Sequence, residues 1–391
     1  MSGQDARGAR GTDGPGAARV GEPAEQAAEV PARLRVLIAP DSFGNTLDAV
    51  AAADRIAAGW SAVRPDDVLE LAPQSDGGPG FVDVLASAFG TRRVLTVPGP
   101  LGDPTPAEYL VDGGTAYIEC AQACGLHLLP DGPTEDTAMA ASSRGVGELI
   151  ADAVRCGATR VVVGLGGSSC TDAGFGIAET FGGFAGAARA LSGIELVAAT
   201  DVEHPLLGPH GAAEVFGPQK GASLDLVTAL EERNEAVASA WWEATGRSVA
   251  HLPGAGAAGG IGAALLALGA TRESGADVIA AATGQDAKLD EAGLVLTGEG
   301  RFDAQSLRGK VVTALAARAA RHGCPTWVLA GQVAVTRAEA DAAGVGELFS
   351  LVDRAGSVER AMTEAAPQLE GLAAEVAQRW SAMVETPSGR E

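Results

Sequence analysis

Short apolar runs that end in polar, glycine-rich segments recur along the chain. The run at 34–39 precedes a stretch at 48–60 whose apolar residues are spaced as on one face of a helix. Because strands appear as short apolar runs and amphipathic helices repeat every three to four residues, this pattern predicts a strand followed by a helix. A strand at 68–72 and a helix at 81–89 repeat the order. The alternation predicts an α/β fold.

The middle of the chain departs from this alternation. Strand-like pieces at 94–97, 107–111 and 115–120 follow one another, and the turn signal Asp112-Gly113-Gly114 separates the last two. Closely spaced strands joined by such turns are typical of antiparallel hairpins. After residue 290 the strand and helix alternation returns. We therefore predict one doubly wound domain with a second α/β domain, containing some antiparallel strands, inserted into it.

The predicted boundaries follow from these changes. Residues 1–33 contain few large apolar side chains, so they cannot bury enough surface to offset their ordering entropy, and we predict a disordered tail. Residues 34–75 and 290–385 are assigned to the discontinuous domain, and residues 76–289 to the inserted domain. The remaining patterns predict helices at 142–155, 224–245, 261–268 and 306–322 and strands at 194–200, 294–297, 326–330 and 347–351.

Composition and charge exclude several classes of partner. The chain has 391 residues, 46% of them hydrophobic, and a formal net charge of -22. We expect no nucleic acid and no membrane as partners, because phosphate binding needs clustered cations and no apolar run is long enough for a membrane span. No signal-peptide pattern is visible at the N-terminus, so we expect a cytoplasmic protein. An anionic small molecule stays possible where cations are locally concentrated.

The segment at 161–176 carries the first candidate site. A β-branched apolar run predicts a buried strand, and a loop of glycines and hydroxyls follows it. Such a loop, leading into a helix N-terminus, can donate backbone and hydroxyl hydrogens to an anion. Asp172 beside it suggests a metal ligand or a base, or else the N-cap of a purely structural turn. The residues proposed to donate hydrogen bonds to the anion are Gly166, Gly167, Ser168 and Ser169.

The segment at 298–306 is the second candidate site, because charged side chains lie densely between glycines there. We favour a functional role over a salt-bridged loop. Lys310 lies in the first turn of the predicted helix at 306–322, where its charge opposes the helix dipole, which indicates that a ligand needs it. Lys220 also lies in a glycine-rich segment, where a ligand-binding lysine is expected. The alternative explanation is that the chain prefers arginine and has few lysines anywhere. The side chains of the segment are Glu299, Arg301, Asp303 and Gln305.

Gly254, Gly256 and Gly259 match the G-x-G-x-x-G pattern of dinucleotide sites. That pattern supports a dinucleotide site only directly after a strand, and the stretch at 249–252 is a poor strand that runs into Pro253. We favour a close-packed or phosphate-contacting loop, and keep a dinucleotide-dependent oxidoreductase as an alternative.

Six glycine-rich and charged blocks follow one another along the chain, at 75–78, 99–104, 164–168, 216–222, 253–260 and 297–306. Together they resemble the type I glycerate kinase family of bacteria, over a match that extends from about residue 35 to residue 380. The resemblance implies a discontinuous Rossmann-like domain, an inserted domain, and a cleft between them in which ATP phosphorylates D-glycerate. No P-loop pattern or protein-kinase signature is present.

Phosphoryl transfer needs a phosphate cradle, Mg²⁺, cations and a base, and we assign each of these roles to residues of this chain as a hypothesis. Phosphate or ATP binding is assigned to Gly166, Gly167, Ser168, Ser169, Lys220, Gly256 and Gly259. Substrate binding is assigned to Asp41, Ser42, Asp76, Gly77, Gly78 and Arg301. The catalytic candidates are Asp172, Asp303 and Lys310, and the Mg²⁺ ligands are Asp172 and Glu299.

The chain departs from the family pattern at named positions. Gly44 stands where the family has the lysine of Asp-Ser-Phe-Lys-Gly-Ser, and Pro79 stands where it has the glutamate of Asp-Gly-Gly-Glu-Gly. Thr171 stands where the family has an asparagine before the aspartate. Two alternatives follow, a kinase of another small hydroxy acid and a degenerate homologue that binds a ligand as a regulator. We expect a monomer or homodimer.

Overall fold

A computed structural model of the chain describes residues 33–308 and 311–385. The predicted tail therefore lies outside the described residues, except for Arg33. The strands are β1 (Arg35–Ile38), β2 (Val68–Leu71), β3 (Thr91–Pro98), β4 (Pro104–Asp112), β5 (Thr115–Glu119), β6 (Arg160–Gly164), β7 (Glu195–Ala199), β8 (Thr271–Glu273), β9 (Leu294–Phe302), β10 (Thr326–Val333) and β11 (Val345–Ser350). The helices are α1 (Ala49–Val63), α2 (Phe81–Ala86), α3 (Ala121–Cys124), α4 (Glu135–Ala140), α5 (Arg144–Arg155), α6 (Phe175–Thr180), α7 (Phe184–Ala190), α8 (Ala212–Phe216), α9 (Leu224–Thr245), α10 (Ile261–Ala267), α11 (Gly275–Ala282), α12 (Gln285–Glu291), α13 (Val311–Arg321), α14 (Arg337–Ala342), α15 (Leu351–Ala355), α16 (Val358–Thr363) and α17 (Ala365–Glu385).

The first sheet is parallel, with the described strands in the order β11-β10-β9-β1-β2. From β1 the chain continues outward to β2, whereas β9 lies on the other side of β1 and leads outward to β10 and β11. The direction of strand order therefore reverses between β1 and β9. In parallel α/β sheets such a topological switch point opens a crevice at the carboxyl ends of the two strands, where ligands bind.

Helix α1 shows how local sequence positions this sheet. Asp48 is its N-cap, and the carboxylate accepts a hydrogen bond from the backbone N–H of Ala51 at 2.7 Å. Ile56 and Trp60 lie on the buried face of the helix and are fully buried. They belong to a core that includes Ile38 of β1 and Leu369 of α17. Burial of this face holds α1 between the sheet and the last helix.

The second sheet has the described strands in the order β3-β4-β5-β6-β7-β8. The pairs β3/β4 and β4/β5 are antiparallel, as predicted for the middle of the chain, and the strands from β5 to β8 pair in parallel. The apolar core on one face includes Tyr109, Leu149 and Trp241. This core holds β6, whose carboxyl end carries the first candidate site.

The two sheets use separate parts of the sequence. The strands of the first lie within 35–71 and 294–350, and those of the second within 91–273. The described residues from 34 onward form one compact unit. The division at 75 and 290 into two domains stays a prediction. In the part of the chain that is described, no helix is both long and apolar enough to cross a membrane.

Two predicted elements around the second candidate site differ in extent from the observed ones. The strand predicted at 294–297 continues to Phe302, because the glycine-rich stretch pairs with β10 from Gly298 to Phe302. A Cβ on Gly298 would overlap the carbonyl oxygen of Leu329, so glycine permits this close pairing. The helix predicted at 306–322 is divided into a 3₁₀ turn, Ser306–Arg308, and α13. Lys310 lies between them, outside the described residues.

Candidate active site

Two cavities flank the carboxyl end of β9. The first, of about 410 Å³, opens at the switch point between β1 and β9 and is called the switch-point cavity. The second, of about 1260 Å³, lies beside the ends of β6 and β7 and is called the cleft. The polar side chains of the switch-point cavity are Asp41, Ser42, Asn45, Thr46, Glu299, Arg301 and Gln332. Those of the cleft are Asp76, Thr200, Asp201, Glu203, His204, His210, Gln219, Arg272, Ser274, Asp277 and Gln305.

The segment from Arg301 to Gln305 lies between the two cavities, since Arg301 lines the first and Gln305 lines the second. The Nε of Arg301 pairs with Oδ2 of Asp303 at 3.2 Å, and the Arg301 side chain is 62% exposed. Oδ1 of Asp303 accepts a hydrogen bond from the backbone N–H of Gln305 at 2.8 Å. The structure thus brings an exposed guanidinium and an oriented carboxylate to the boundary between the cavities.

The loop after β2 packs on the loop after β6, and glycines permit this contact. A Cβ on Gly166 would lie 2.5 Å from Cα of Gly78, and a Cβ on Gly77 would lie 2.6 Å from the carbonyl oxygen of Ala199. Gly77 and Gly78 are therefore buried. Asp76 is exposed in the cleft, and its Oδ1 accepts a hydrogen bond from the N–H of Gly78 at 2.9 Å. The predicted substrate residue that faces the cleft is Asp76.

In the loop after β6, Gly166 lines the cleft and Gly167 is exposed, whereas Ser168 and Ser169 are buried. The Oγ of Ser169 donates to the carbonyl oxygen of Cys124 at 2.9 Å. Of the residues predicted to donate hydrogen bonds to phosphate, the two glycines are thus accessible to a ligand. The two serine hydroxyls instead hold the loop to its neighbours.

Lys220 is 2% exposed and lies beneath this loop. Its Nζ donates to the carbonyl oxygen of Cys170 at 2.5 Å and to Oγ of Ser168 at 3.0 Å. Burial lowers the pKa of the Lys220 ammonium group, because the charged form loses its hydration. This places Lys220 as a support of the loop and away from either cavity lining.

The second glycine-rich segment packs against the same loop. A Cβ on Gly259 would lie 2.9 Å from Nζ of Lys220 and would overlap the carbonyl oxygen of Cys170. A Cβ on Gly256 would overlap the carbonyl oxygen of Pro205. Both glycines are buried, which is the close-packed alternative of the two predicted for this segment. The second half of the G-x-G-x-x-G motif forms a short turn, Ala257–Gly260, in which Ala258 and Gly259 have left-handed backbone angles.

Both carboxylate oxygens of Asp172 accept hydrogen bonds from the protein. Oδ2 accepts from the N–H and the Oγ of Ser143, each at 2.8 Å, and from the N–H of Gly176 at 3.2 Å. Oδ1 accepts from the N–H of Gly174 at 3.1 Å. The side chain is buried and lies outside the lining of both cavities. The geometry matches the structural alternative, in which the carboxylate holds the starts of α5 and α6 together.

Asp201 is a cleft residue that the sequence prediction left without a role. Burial raises the pKa of its carboxyl group, and the negative charges of Asp76 and Asp277 add to this, whereas Ser274 and Arg272 oppose it. Oδ2 of Asp201 is buried and has no hydrogen-bond partner among the described residues. Its position directly after the strand predicted at 194–200 was the available signal, since ligands bind at strand carboxyl ends.

Glu119 is a second residue that sequence reasoning missed. It is 2% exposed, and one carboxylate oxygen accepts from the N–H of Gly80 at 3.0 Å and of Val82 at 3.4 Å. Burial raises the pKa of Glu119 to about 7, although these two hydrogen bonds oppose the shift. Glu119 thus fixes the loop that carries Asp76 to the start of α2.

Metal binding has no preformed cluster in the described residues, where no group of three or more His, Cys, Asp or Glu side chains is arranged to hold an ion. Glu299 is half-buried in the switch-point cavity, and Asp172 is enclosed as described above.

Comparison with known proteins gives consistent matches over nearly the whole described chain. Residues 36–185 and 183–381 match the model of the glycerate kinase family. The chain is 36% identical to the glycerate kinase of Bacillus subtilis, over 88% of this chain and 97% of that protein. It is 35% identical to the glycerate 2-kinase of Escherichia coli, over 84% and 93%. A crystal structure of a putative glycerate kinase 2 from Salmonella typhimurium LT2 superposes with a TM-score of 0.74, at 31% identity, and covers 90% of this chain and 100% of that one.

Proposed function

The chain belongs to the glycerate kinase family, and on that premise we propose that it transfers the γ-phosphoryl group of ATP to a hydroxyl group of D-glycerate. The observation that carries the proposal is the position of the Arg301 to Gln305 segment between two cavities. A kinase must hold two substrates on either side of the transferred group, and a cation must stand where charge develops.

Arg301 and Asp303 supply the chemistry at this boundary. The guanidinium is permanently charged and exposed, so it stabilises the negative charge of the transferring phosphoryl group. Asp303 accepts the proton of the substrate hydroxyl, and its orientation is set by Arg301 and by the N–H of Gln305. Lys310, which lies outside the described residues, stays a predicted second cation close in sequence to this pair.

We assign D-glycerate to the cleft, because the cleft is lined by groups that bind hydroxyls and carboxylates. Asp76 and Ser274 are suited to the hydroxyl groups of the substrate, and Gln305 reaches into the cleft from the reacting side. The backbone of Gly166 lies at the wall of the cleft, where an oxygen of the transferred phosphoryl group can accept a hydrogen bond from its N–H.

We propose Mg²⁺ as the metal that accompanies ATP. When bound, it neutralises charge on the phosphates. Asp201 is the fitting ligand, because its Oδ2 is buried without a hydrogen-bond partner in the described structure and the nearby negative charges of Asp76 and Asp277 favour a cation there. Mg²⁺ sites in kinases use one or two carboxylates together with phosphate oxygens, so a larger acidic cluster is not needed. Of the ligands predicted from sequence, Glu299 stays a prediction and Asp172 is assigned a positioning role.

We place the reaction in the cytoplasm, since that compartment supplies ATP. The monomeric or homodimeric state stays a prediction.

The first test is ADP release by the purified protein with a panel of small hydroxy acids, followed by identification of the phosphorylated position. We expect D-glycerate to give the highest kcat/KM. Release with another hydroxy acid alone would replace the substrate. Absence of release with every acid, together with retained ATP binding, would favour the ligand-binding alternative.

The second test is substitution at the cavity boundary. Because Arg301→Ala and Asp303→Asn each remove one group that acts in the transition state, we expect kcat to fall by about 10²- to 10³-fold in each variant. Arg55→Ala is the matched control, since Arg55 is also an exposed arginine in an ion pair, with Glu370 at 3.2 Å. Unchanged kcat in both site variants would contradict the assignment.

A further inference from the structure

We propose that the switch-point cavity binds the nucleoside part of the nucleotide, with the base against helix α16 and the triphosphate directed past Arg301 to the cleft. This inference rests on the proposed function, because it assigns the nucleotide of that reaction to one of the two cavities. The sequence-based assignment placed Asp41, Ser42 and Arg301 with the organic acid, so the structure changes which substrate these residues meet.

Topology and size support the assignment. The cavity lies at the carboxyl ends of β1 and β9, where the strand order of the first sheet reverses. Nucleotides bind at such switch points in parallel α/β sheets, because the loops leaving the two strands diverge there. Its volume of about 410 Å³ falls in the range of small-molecule sites.

One wall of the cavity is apolar and exposed to solvent. Val358 and Met362 stand one helical turn apart on α16, and they are 49% and 57% exposed. Leu351, Val352 and Ala361 continue the same wall. A flat nucleobase stacked on this wall removes apolar surface from water, which is favourable. The amide of Gln332, also in the lining, can donate to and accept from the polar edge of the base.

The charges of the cavity orient the ligand. Asp41 follows β1 and Glu299 lies in β9, so two carboxylates meet at the switch point. Carboxylates accept hydrogen bonds from ribose hydroxyls at comparable sites and repel phosphates. Arg301 is the lining cation among the described residues, and its segment leads to the cleft. The phosphates therefore point from the carboxylates toward Arg301.

A hydroxy acid fits this cavity poorly. Glycerate is small and polar, so it has little apolar surface to offer the wall formed by α16. The cleft has more polar lining groups, and they surround the place where Gln305 enters. The two cavities thus differ in the chemistry that they recognise.

The test measures ATP binding directly, without hydroxy acid, by equilibrium dialysis of Mg-ATP against the purified full-length protein. Met362→Glu places a negative charge on the apolar wall, and we expect the Kd for ATP to rise at least about 10-fold. Met383→Glu is the matched control, because Met383 is 54% exposed and lies outside the cavity lining; we expect less than a twofold change. Val358→Glu should repeat the effect of Met362→Glu.

Adenosine, which lacks phosphates, is the second probe. We expect it to compete with ATP on the wild-type protein and to lose this competition on Met362→Glu, while the KM for D-glycerate stays within twofold. An unchanged Kd for ATP in both wall variants would overturn the proposal, whether or not their oligomeric state changes. If the wall variants bind ATP more weakly but the wild type phosphorylates no hydroxy acid, the nucleoside site is supported and the proposed function is rejected. Phosphorylation of D-glycerate with unchanged Kd values would do the reverse, and a wild-type protein that binds neither ATP nor adenosine would contradict both.

Discussion

At the scale of single residues, charged side chains in glycine-rich segments divide into two groups. Arg301 and Asp303 lie at the boundary of the cavities, whereas Asp172 and Lys220 are buried and hydrogen-bonded to other groups of the protein. A buried charge must be partnered to be tolerated, and a ligand-binding charge must be accessible. Residue type and local composition are alike in the two groups, so only burial separates them.

Asp172→Ala is expected to destabilise the fold. The substitution leaves the donors of Ser143, Gly174 and Gly176 without their acceptor, which costs about 2–5 kcal/mol in the free energy of unfolding. Urea denaturation measures this loss. Asp172→Asn retains a carbonyl acceptor and should lose less, and Asp225→Ala, at an exposed position, should lose little. An Asp172→Ala protein of normal stability without activity would instead show that Asp172 is catalytic.

At the scale of elements, the loop from Asp76 to Gly80 is held from two sides. Glu119 at the end of β5 accepts from the N–H groups of Gly80 and Val82, and the loop after β6 contacts Gly78 through Gly166. These contacts join β2, β5 and β6, which are distant in sequence, at one wall of the cleft. The position of Asp76 therefore depends on elements from both sheets.

The buried carboxyl group of Glu119 predicts a pH dependence of stability. Its pKa rises from 4.5 to about 7 on folding, so between these values the folded protein keeps a proton that the unfolded chain has released. Stability consequently falls as the pH rises through this window, and the loss is complete above the folded pKa. In Glu119→Gln this contribution is missing. We therefore expect the unfolding free energy of Glu119→Gln, relative to that of the wild type, to rise by about 3 kcal/mol from acidic to alkaline pH, because only the wild type loses this stability. Urea titrations of both proteins at pH 4.5 and pH 8 check this, and a pH-independent difference would refute it.

Gly166→Ala tests the contact between the two loops. The new Cβ would lie 2.5 Å from Cα of Gly78, so one loop must move and the cleft wall with it. We expect the KM for the hydroxy acid to rise about 10-fold or more, because a misplaced binding wall weakens positioning. Steady-state kinetics measure the change. Gly346→Ala on β11 serves as the control: the nearest atom to its new Cβ is 3.3 Å away, so a small local shift suffices and the KM should stay at the wild-type value.

At the scale of the whole molecule, the apolar cores follow the division between the sheets. The core around Trp60 uses residues from 36–60 and 294–377, and the core around Trp241 uses residues from 97–267. A smaller cluster joins Ala49 of α1 to Phe81 and its neighbours. Separate cores are the physical requirement for independent folding.

Residues 76–289 alone are therefore expected to fold cooperatively, with some loss of stability where Ala49 no longer packs. Circular dichroism during heating should show one sigmoidal transition. The same fragment with Leu149→Asp, which places a charge in its core, should show none. A fragment that melts without a transition would contradict the two-domain prediction.

The sequence by itself determined the α/β class, the antiparallel strands in the middle of the chain, helix α9 at its full length and membership of the glycerate kinase family. Those features are written in local periodicity, caps, turns and motif blocks. Only the tertiary structure decided that β9 extends to Phe302, that Lys220 and Asp172 are enclosed, and that Asp201 faces the cleft. It likewise brought Val358 and Met362 to the cavity beside Asp41, more than three hundred positions away in the chain. Burial, hydrogen-bond partners and cavity walls arise from contacts between segments that are distant in sequence, and local sequence patterns do not determine those contacts.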